Sequence, residues 1–169
     1  MKRLLMVISL LLLAGCGGGG QSSTGLTEDV AKPVTGVLPL ELRAQGEGTQ
    51  WRVELVTPAA ADLYQLAGGI TYDPAKYSVD NVTDGGGLGN GEATYFAWGE
   101  TAPGALDFAY TKRFYGDGVD GAACLAVFEI TTAQGFNLAD FSIDPDPTAT
   151  LARDSRKDPL EIKLTGEVR

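Results

Sequence analysis

Ala123-Cys124-Leu125-Ala126-Val127-Phe128-Glu129-Ile130-Thr131 is the stretch on which the fold assignment turns. In an extended chain Cys124, Ala126, Phe128 and Ile130 share one side, and Leu125, Val127 and Glu129 share the other. Both sides are largely apolar, the pattern of a central strand covered on two faces. Cys124 is expected to point inward beside Phe128 as a small, inert, buried thiol.

Working outward from this strand, the same period of two recurs on either side. Val37–Ala44 places Leu38, Leu40, Leu42 and Ala44 on one face, and Trp51, Val53 and Leu55 alternate with Arg52 and Glu54. Leu66–Tyr72 and Tyr77–Val82 flank the turn Asp73-Pro74-Ala75-Lys76, while Thr94–Trp98 and Leu106–Lys112 flank Gly99–Gly104 as a hairpin. Phe136–Ile143 is a weaker strand, and Leu160–Val168 alternates again. Short alternating runs bounded by Gly, Pro and Asp predict an all-β sandwich or barrel. The one helical prospect is Ala59–Leu66, where Pro58 suits a first turn. Gly85-Gly86-Gly87-Leu88-Gly89-Asn90-Gly91 reads as a mobile loop and a rim for partner contact. It lacks the Lys-Ser/Thr and the following helix of a phosphate loop.

The first residues serve a different purpose. Lys2 and Arg3 precede an apolar run, Leu4–Leu13, too short to span a hydrocarbon core that needs roughly 20 helical residues. A basic head, a short apolar run and small residues describe a secretory signal over residues 1–15. Leu13-Ala14-Gly15-Cys16 resembles the lipobox of bacterial lipoproteins. That resemblance implies cleavage before Cys16, acylation of Cys16, and a membrane partner reached through two or three acyl chains. Gly17, rather than Asp, follows the cysteine and implies the outer membrane. Gly17–Gly20 and the Gln-Ser-Ser-Thr-Gly that follows form a flexible tether, placing the lipidated tether at 16–33 and the folded domain at 34–169. Losing Lys2 and Arg3 leaves 154 residues with 11 basic against 22 acidic side chains, so the net charge moves from −9 to −11.

Residues 68–131 carry a second resemblance. Gly68-Gly69-Ile70-Thr71-Tyr72-Asp73-Pro74-Ala75-Lys76-Tyr77-Ser78-Val79 is similar to the strand, Tyr-Asp-Pro turn and strand of cohesin domains. Gly116-Asp117-Gly118-Val119-Asp120-Gly121 followed by Ala123–Ile130 resembles that family's glycine turn and long core strand. The resemblance covers Val34–Thr132, with Leu160–Val168 as a closing strand, and leaves Asp144–Asp158 without a counterpart. It implies a cohesin-like β-sandwich with jelly-roll topology, related to type III carbohydrate-binding modules. It also implies a non-catalytic binding module. The chain carries no dockerin-type calcium loop, and a single such unit on a lipid tether differs from a multi-module scaffold.

Composition narrows the chemistry. Without histidine there is no Ser-His-Asp or Cys-His catalysis and no His-ligated zinc. Two cysteines make neither a disulfide framework nor a four-cysteine zinc site, and a net charge of −9 argues against nucleic acid. No cofactor or metal is expected. Asp117 with Asp120, and Asp144 with Asp146, are explained by turn chemistry before calcium, which wants about six to eight oxygens. Phe96, Trp98, Phe108 and Tyr110 are expected in the core, leaving Tyr95, Phe114 and Tyr115 as exposed rings for a ligand. The expectation is an envelope-anchored module for polysaccharide or an envelope protein. A structural subunit of an envelope or secretion assembly is the alternative, and an acid-dependent hydrolase the enzymatic rival.

Overall fold

The computed structural model describes residues 35–89, 93–144, 146 and 148–165. The expected signal, lipobox and tether, with Cys16, lie outside the described residues. Among the described residues nine strands run in the order β1 (Gly36–Glu47), β2 (Gln50–Thr71), β3 (Tyr77–Asp84), β4 (Thr94–Ala102), β5 (Ala105–Lys112), β6 (Val119–Thr132), β7 (Ser142–Ile143), β8 (Leu151–Asp154) and β9 (Pro159–Leu164). They form a β-sandwich of jelly-roll type. One layer is β3–β6–β2–β1, and the other is β4–β5–β2–β8–β9–β1. Both β1 and β2 belong to each layer. β1 pairs in parallel with β9 over Gly36–Leu40 and antiparallel with β2 from Glu41 onward.

The 22-residue β2 changes layer along its length. Gln50–Thr57 pairs with β6 on one side and β1 on the other, whereas Gln65–Thr71 pairs with β5, and Leu63–Ala67 with β8. Three irregularities in the β6 register, between Leu55 and Leu63, bend the strand between these two sets of partners. Those irregularities also correct the helical expectation for Ala59–Leu66. Ala60, Leu63 and Leu66 are all buried, so the bulges give a period of three that mimics a helix although the stretch is part of β2. Leu38, Leu40, Val53, Leu55, Leu66, Ile70, Phe128 and Ile130 fill the core, and Trp51 stacks on Phe136 at 4.3 Å between ring centroids. Phe136–Ile143 divides into a 3-10 turn at Leu138–Asp140 and the two-residue β7.

A carboxylate holds the bend. Asp62 has φ +56°, a left-handed conformation that Asp tolerates better than most side chains. Its two oxygens accept from the Gly118 amide (2.6 Å), the Ser155 hydroxyl (2.7 Å) and the Ser155 amide (3.3 Å). Its own amide donates to Asp120 Oδ1 at 2.8 Å. A side chain at residue 118 would place its Cβ 2.2 Å from the Asp62 carbonyl carbon, so glycine is required for this approach. Burial pushes the Asp62 carboxyl up, but the bonds from Ser155 and Gly118 outweigh it and hold it below its usual value.

Asp154 closes the Asp144–Asp158 stretch, for which the sequence resemblance supplied no counterpart. Buried at 2% exposure, it accepts from the amides of Arg156 and Asp158 and from the Thr35 hydroxyl, which together order the β8–β9 turn. Burial raises its carboxyl, yet the Asp158, Thr35 and Arg156 donors leave it lowered from 3.8. A carboxyl depressed in the folded state stabilises the fold above its unfolded value, and that contribution is lost as pH falls through the folded one. Thermal melts are therefore expected to stay level through mildly acidic pH and to fall below about pH 4, with Asp154→Asn reducing the fall. Asp154→Ala is expected to cost about 1–3 kcal/mol at neutral pH in denaturant titration, since it leaves the Arg156 and Asp158 amides without their acceptor.

Candidate functional site

The two outer faces of the sandwich differ in what stands on them. Side chains opposite one another in a ladder point the same way. On the β3–β6–β2–β1 layer the outward rows run Thr83–Val127–Glu54–Arg43 and Asn81–Glu129–Arg52–Gln45. Their charges pair within the face, Arg43 with Glu41 and Arg52 with Glu54, and Asp80 accepts from Thr131. On the β4–β5–β2–β8 layer the central outward row is Ala97–Ala109–Ala67–Leu151, followed by Gly99–Asp107–Gly69. Tyr95–Thr111–Gln65–Arg153 forms the next row. This face is a floor of small residues edged by polar groups, which the backbone of a partner can approach closely.

The three ring residues expected at a ligand site are all on the surface. Tyr95 is 57%, Phe114 65% and Tyr115 103% exposed. Tyr95 stands on the outward face of β4 opposite Thr111, and Phe114 and Tyr115 follow β5 at the same end of the hairpin. Among the described residues no ring contact joins Tyr95 to Phe114 or Tyr115. The loop that carries Phe114 and Tyr115 is fastened at several points. Arg113 donates its amide to Ala93 O (2.9 Å), Lys112 Nζ to Asp117 O (2.6 Å), and the buried Tyr64 hydroxyl to Phe114 O (2.7 Å). Lys157 Nζ sits 3.3 Å from the Tyr64 ring centroid and completes this anchor. Because the loop's backbone is held from below, its rings face outward.

Two expectations for buried residues are corrected. Phe108 and Tyr110 are buried and Phe96 is half-buried, but Trp98 is 41% exposed. β4 is the last strand of its layer, so the ring beside its open edge is not fully covered. Cys124 does not join Phe128. The extra residue Leu125 between the Leu55–Ala126 and Val56–Cys124 pairs inverts the phase, turning Leu125 into the core and Cys124 to the outer side. There the thiol is pushed up by burial and then by the Glu54 charge.

The stretch expected as a mobile loop is docked over residues 85–89. Gly87 donates to Cys124 O (2.8 Å), Leu88 is in the core, and the Tyr110 hydroxyl donates to Gly89 O. A Cβ at Gly87 would lie 2.3 Å from Cys124 O, so glycine allows this close seating.

Three of the acids considered for calcium accept backbone hydrogen bonds, Asp120 across to β2 and Asp144 and Asp146 within their own turn. Asp120 accepts from Asp62, Asp144 from the Asp146 amide, and Asp146 from the Thr148 amide and hydroxyl. A cleft of about 270 Å³ is lined by Lys76, Tyr77, Gln134, Gly135, Phe136, Asn137 and Asp140. Within it Asp140 accepts from Tyr77 (2.7 Å) and Lys76 (3.1 Å). Those two donors lower the Asp140 carboxyl, and the Asp140 bond and charge raise Lys76. Each group is held in its ordinary charged form, which suits a structural lock between β3 and the 3-10 turn. The floor residues Ala67, Ala109 and Leu151, and the anchors Asp62 and Tyr64, were not singled out by sequence reasoning. Small residues and a Tyr in a bulged strand carry no local signal.

No protein-family model and no curated protein sequence matches the chain. Its fold is that of cohesin domains. The sixth cohesin of scaffoldin B from Acetivibrio cellulolyticus, solved in complex with the Cel5 dockerin, superposes with a TM-score of 0.60 at 16% identity, covering 76% of this chain and 94% of that one. The seventh ScaB type I cohesin from Pseudobacteroides cellulosolvens gives a TM-score of 0.61 at 10% identity, over 76% and 88% of the two chains. A non-cellulosomal cohesin from the archaeon Archaeoglobus fulgidus gives 0.56 at 10% identity, over 76% and 84%.

The Tyr64 anchor is directly testable. Tyr64→Phe is expected to increase amide hydrogen exchange across residues 113–118 at least about threefold while costing about 1 kcal/mol globally. Unchanged exchange in that loop would show that the hydroxyl does not hold it.

Proposed function

We propose that this chain is a non-catalytic protein-binding module, held at the bacterial cell envelope by a lipid on Cys16. Its protein partner seats on the outer face of the β4–β5–β2–β8 layer. The observation that carries this reading is the asymmetry of the two faces. One is occupied by its own ion pairs, whereas the other offers the Ala97–Ala109–Ala67–Leu151 floor with Tyr95, Gln65 and Arg153 alongside. A flat floor with a ring and polar groups at its border fits an anchor-and-rim interface. Solved neighbours of this fold include cohesins in complex with dockerins, which supports a protein as the partner. The engagement of Asp62 and Asp154 in backbone bonds supports a binding rather than a hydrolytic role. The exposed rings of Phe114 and Tyr115, on their fastened loop, favour a second reading in which the ligand is a polysaccharide.

A photo-crosslinking residue at Ala109, in cells, is expected to give adducts of higher mass that the same residue at Glu129 on the opposite face does not give. Ala67→Arg is expected to weaken those adducts about tenfold, because a long charged side chain would stand in the middle of the floor. Adducts from Glu129 alone would move the interface to the other layer. Loss of polysaccharide co-sedimentation in Tyr115→Ala, with Ala67→Arg unaffected, would establish the second reading instead.

The anchor is checked separately. Cys16→Ala is expected to move the chain from the membrane pellet to the soluble fraction or to leave it uncleaved. An unchanged, cleaved, membrane-bound product would refute lipidation at Cys16.

A further inference from the structure

The sandwich has two lateral edges, β3 and β4, and they are built differently. β3 carries Asp80 and Asp84 and is bulged between Val79 and Asn81, devices that discourage strand addition. β4 reads Thr94-Tyr95-Phe96-Ala97-Trp98-Gly99-Glu100-Thr101-Ala102. Glu100 is its only charged residue, it has no Lys or Pro, and its irregularity comes after Glu100. The Arg113 amide bond to Ala93 O sets the phase of the ladder. Ala93, Tyr95, Ala97 and Gly99 direct their backbone groups to β5, and Phe96 and Trp98 direct theirs outward. Among the described residues β4 pairs only with β5.

We propose that β4 pairs with β4 of a second copy of this chain, antiparallel, about a two-fold axis at Ala97. In this register Phe96 faces Trp98 of the second copy, and both have outward N–H and C=O groups, so each such pair exchanges two hydrogen bonds. The same pairs join aromatic rings across the strands. Tyr95 lies beside Gly99 of the second copy, where a ring can cover the bare glycine backbone. Glu100 of the second copy comes opposite Thr94, with Lys112 next in the row, while the two Glu100 carboxylates stay about 20 Å apart along the strands. Centring the axis on Phe96 instead would set Trp98 against Thr94 and leave one Phe96–Phe96 pair in place of two Phe96–Trp98 pairs. The arrangement Tyr-Phe-Ala-Trp-Gly is thus self-complementary about its alanine, which favours a second copy over an unrelated strand. This pairing uses the edge and not the face, and stands whether or not the face binds a protein. It would join two small-residue floors into one continuous layer with two binding faces.

The test uses the full-length chain with Cys124→Ser as parent, oxidised in cells and read by non-reducing electrophoresis. Ala97→Cys is expected to raise the disulfide-linked dimer at least about tenfold over the parent, because a non-hydrogen-bonded pair at about 4.5 Å between Cα atoms is within disulfide reach. Ala109→Cys, one strand further from the axis, is expected to stay at the parent level. Adding Trp98→Pro to Ala97→Cys is expected to return the dimer to that level, since it removes an outward N–H without touching the β4–β5 ladder. Trp98→Lys serves the same purpose with the backbone donor intact, should the proline variant not accumulate. No gain from Ala97→Cys, an equal gain from Ala109→Cys, or a dimer that survives both Trp98 substitutions in folded protein each overturns the pairing. Adducts of Ala97→Cys solely with other proteins would assign the edge to a foreign strand and overturn it equally.

Discussion

A single strand that belongs to two layers needs a fixed point where it changes partners, and Asp62 is that point. The bend in β2 leaves backbone amides of two other segments without ladder partners at the crossing. The Asp62 carboxylate collects them, Gly118 from the approach to β6 and Ser155 from the β8–β9 turn. Its left-handed backbone is a local cost of about 1 kcal/mol that these charge-assisted bonds exceed. The β5–β6 loop, which carries Phe114, Tyr115 and Gly118, and the β8–β9 turn both gather around this crossing. Its effect therefore reaches from the core to the surface that carries Phe114 and Tyr115.

The surface follows from how the layers are satisfied. Where outward side chains are long and charged, they bond to one another and leave a face already occupied. Where they are Ala and Gly, the sheet carries little side-chain bulk, with Asp107 and Asp144 closing over Gly69 at one border. The same contrast separates the edges. β3 carries carboxylates and a bulge, and β4 carries rings around an alanine and a glycine. Charge thus stands on one face and one edge of this scaffold, and small or aromatic residues on the other face and the other edge.

Much of the fold was legible because strands that face a core on one side must alternate. Val53 and Leu55, Phe108 and Tyr110, and Phe128 and Ile130 could be assigned to the core from period alone. The rule failed where the period itself is broken. Bulges made Ala59–Leu66 look helical and turned Cys124 away from Phe128, because one extra residue inverts every side chain beyond it. Trp98 has the correct phase for the core but sits at an edge with incomplete cover. Strand order, which decides this, depends on contacts far apart in sequence. The exposed rings Tyr95, Phe114 and Tyr115 were legible as surface residues, since adjacent aromatics after a strand cannot both face inward. The fastening of their loop through Tyr64 was not, because it joins residues 50 positions apart.

The class of fold, the inward set of most strands, the Tyr-Asp-Pro turn and the absence of histidine chemistry are written in the chain itself. All of these follow from local periodicity, turn preference and composition. That β2 serves both layers, that Asp62 and Asp154 are the carboxylates that organise it, and which strands end each layer among the described residues emerge with the folded arrangement. Those features depend on which strands become neighbours. That is set by the closure of long loops and the burial of a shared core, neither of which is contained in any short stretch of chain.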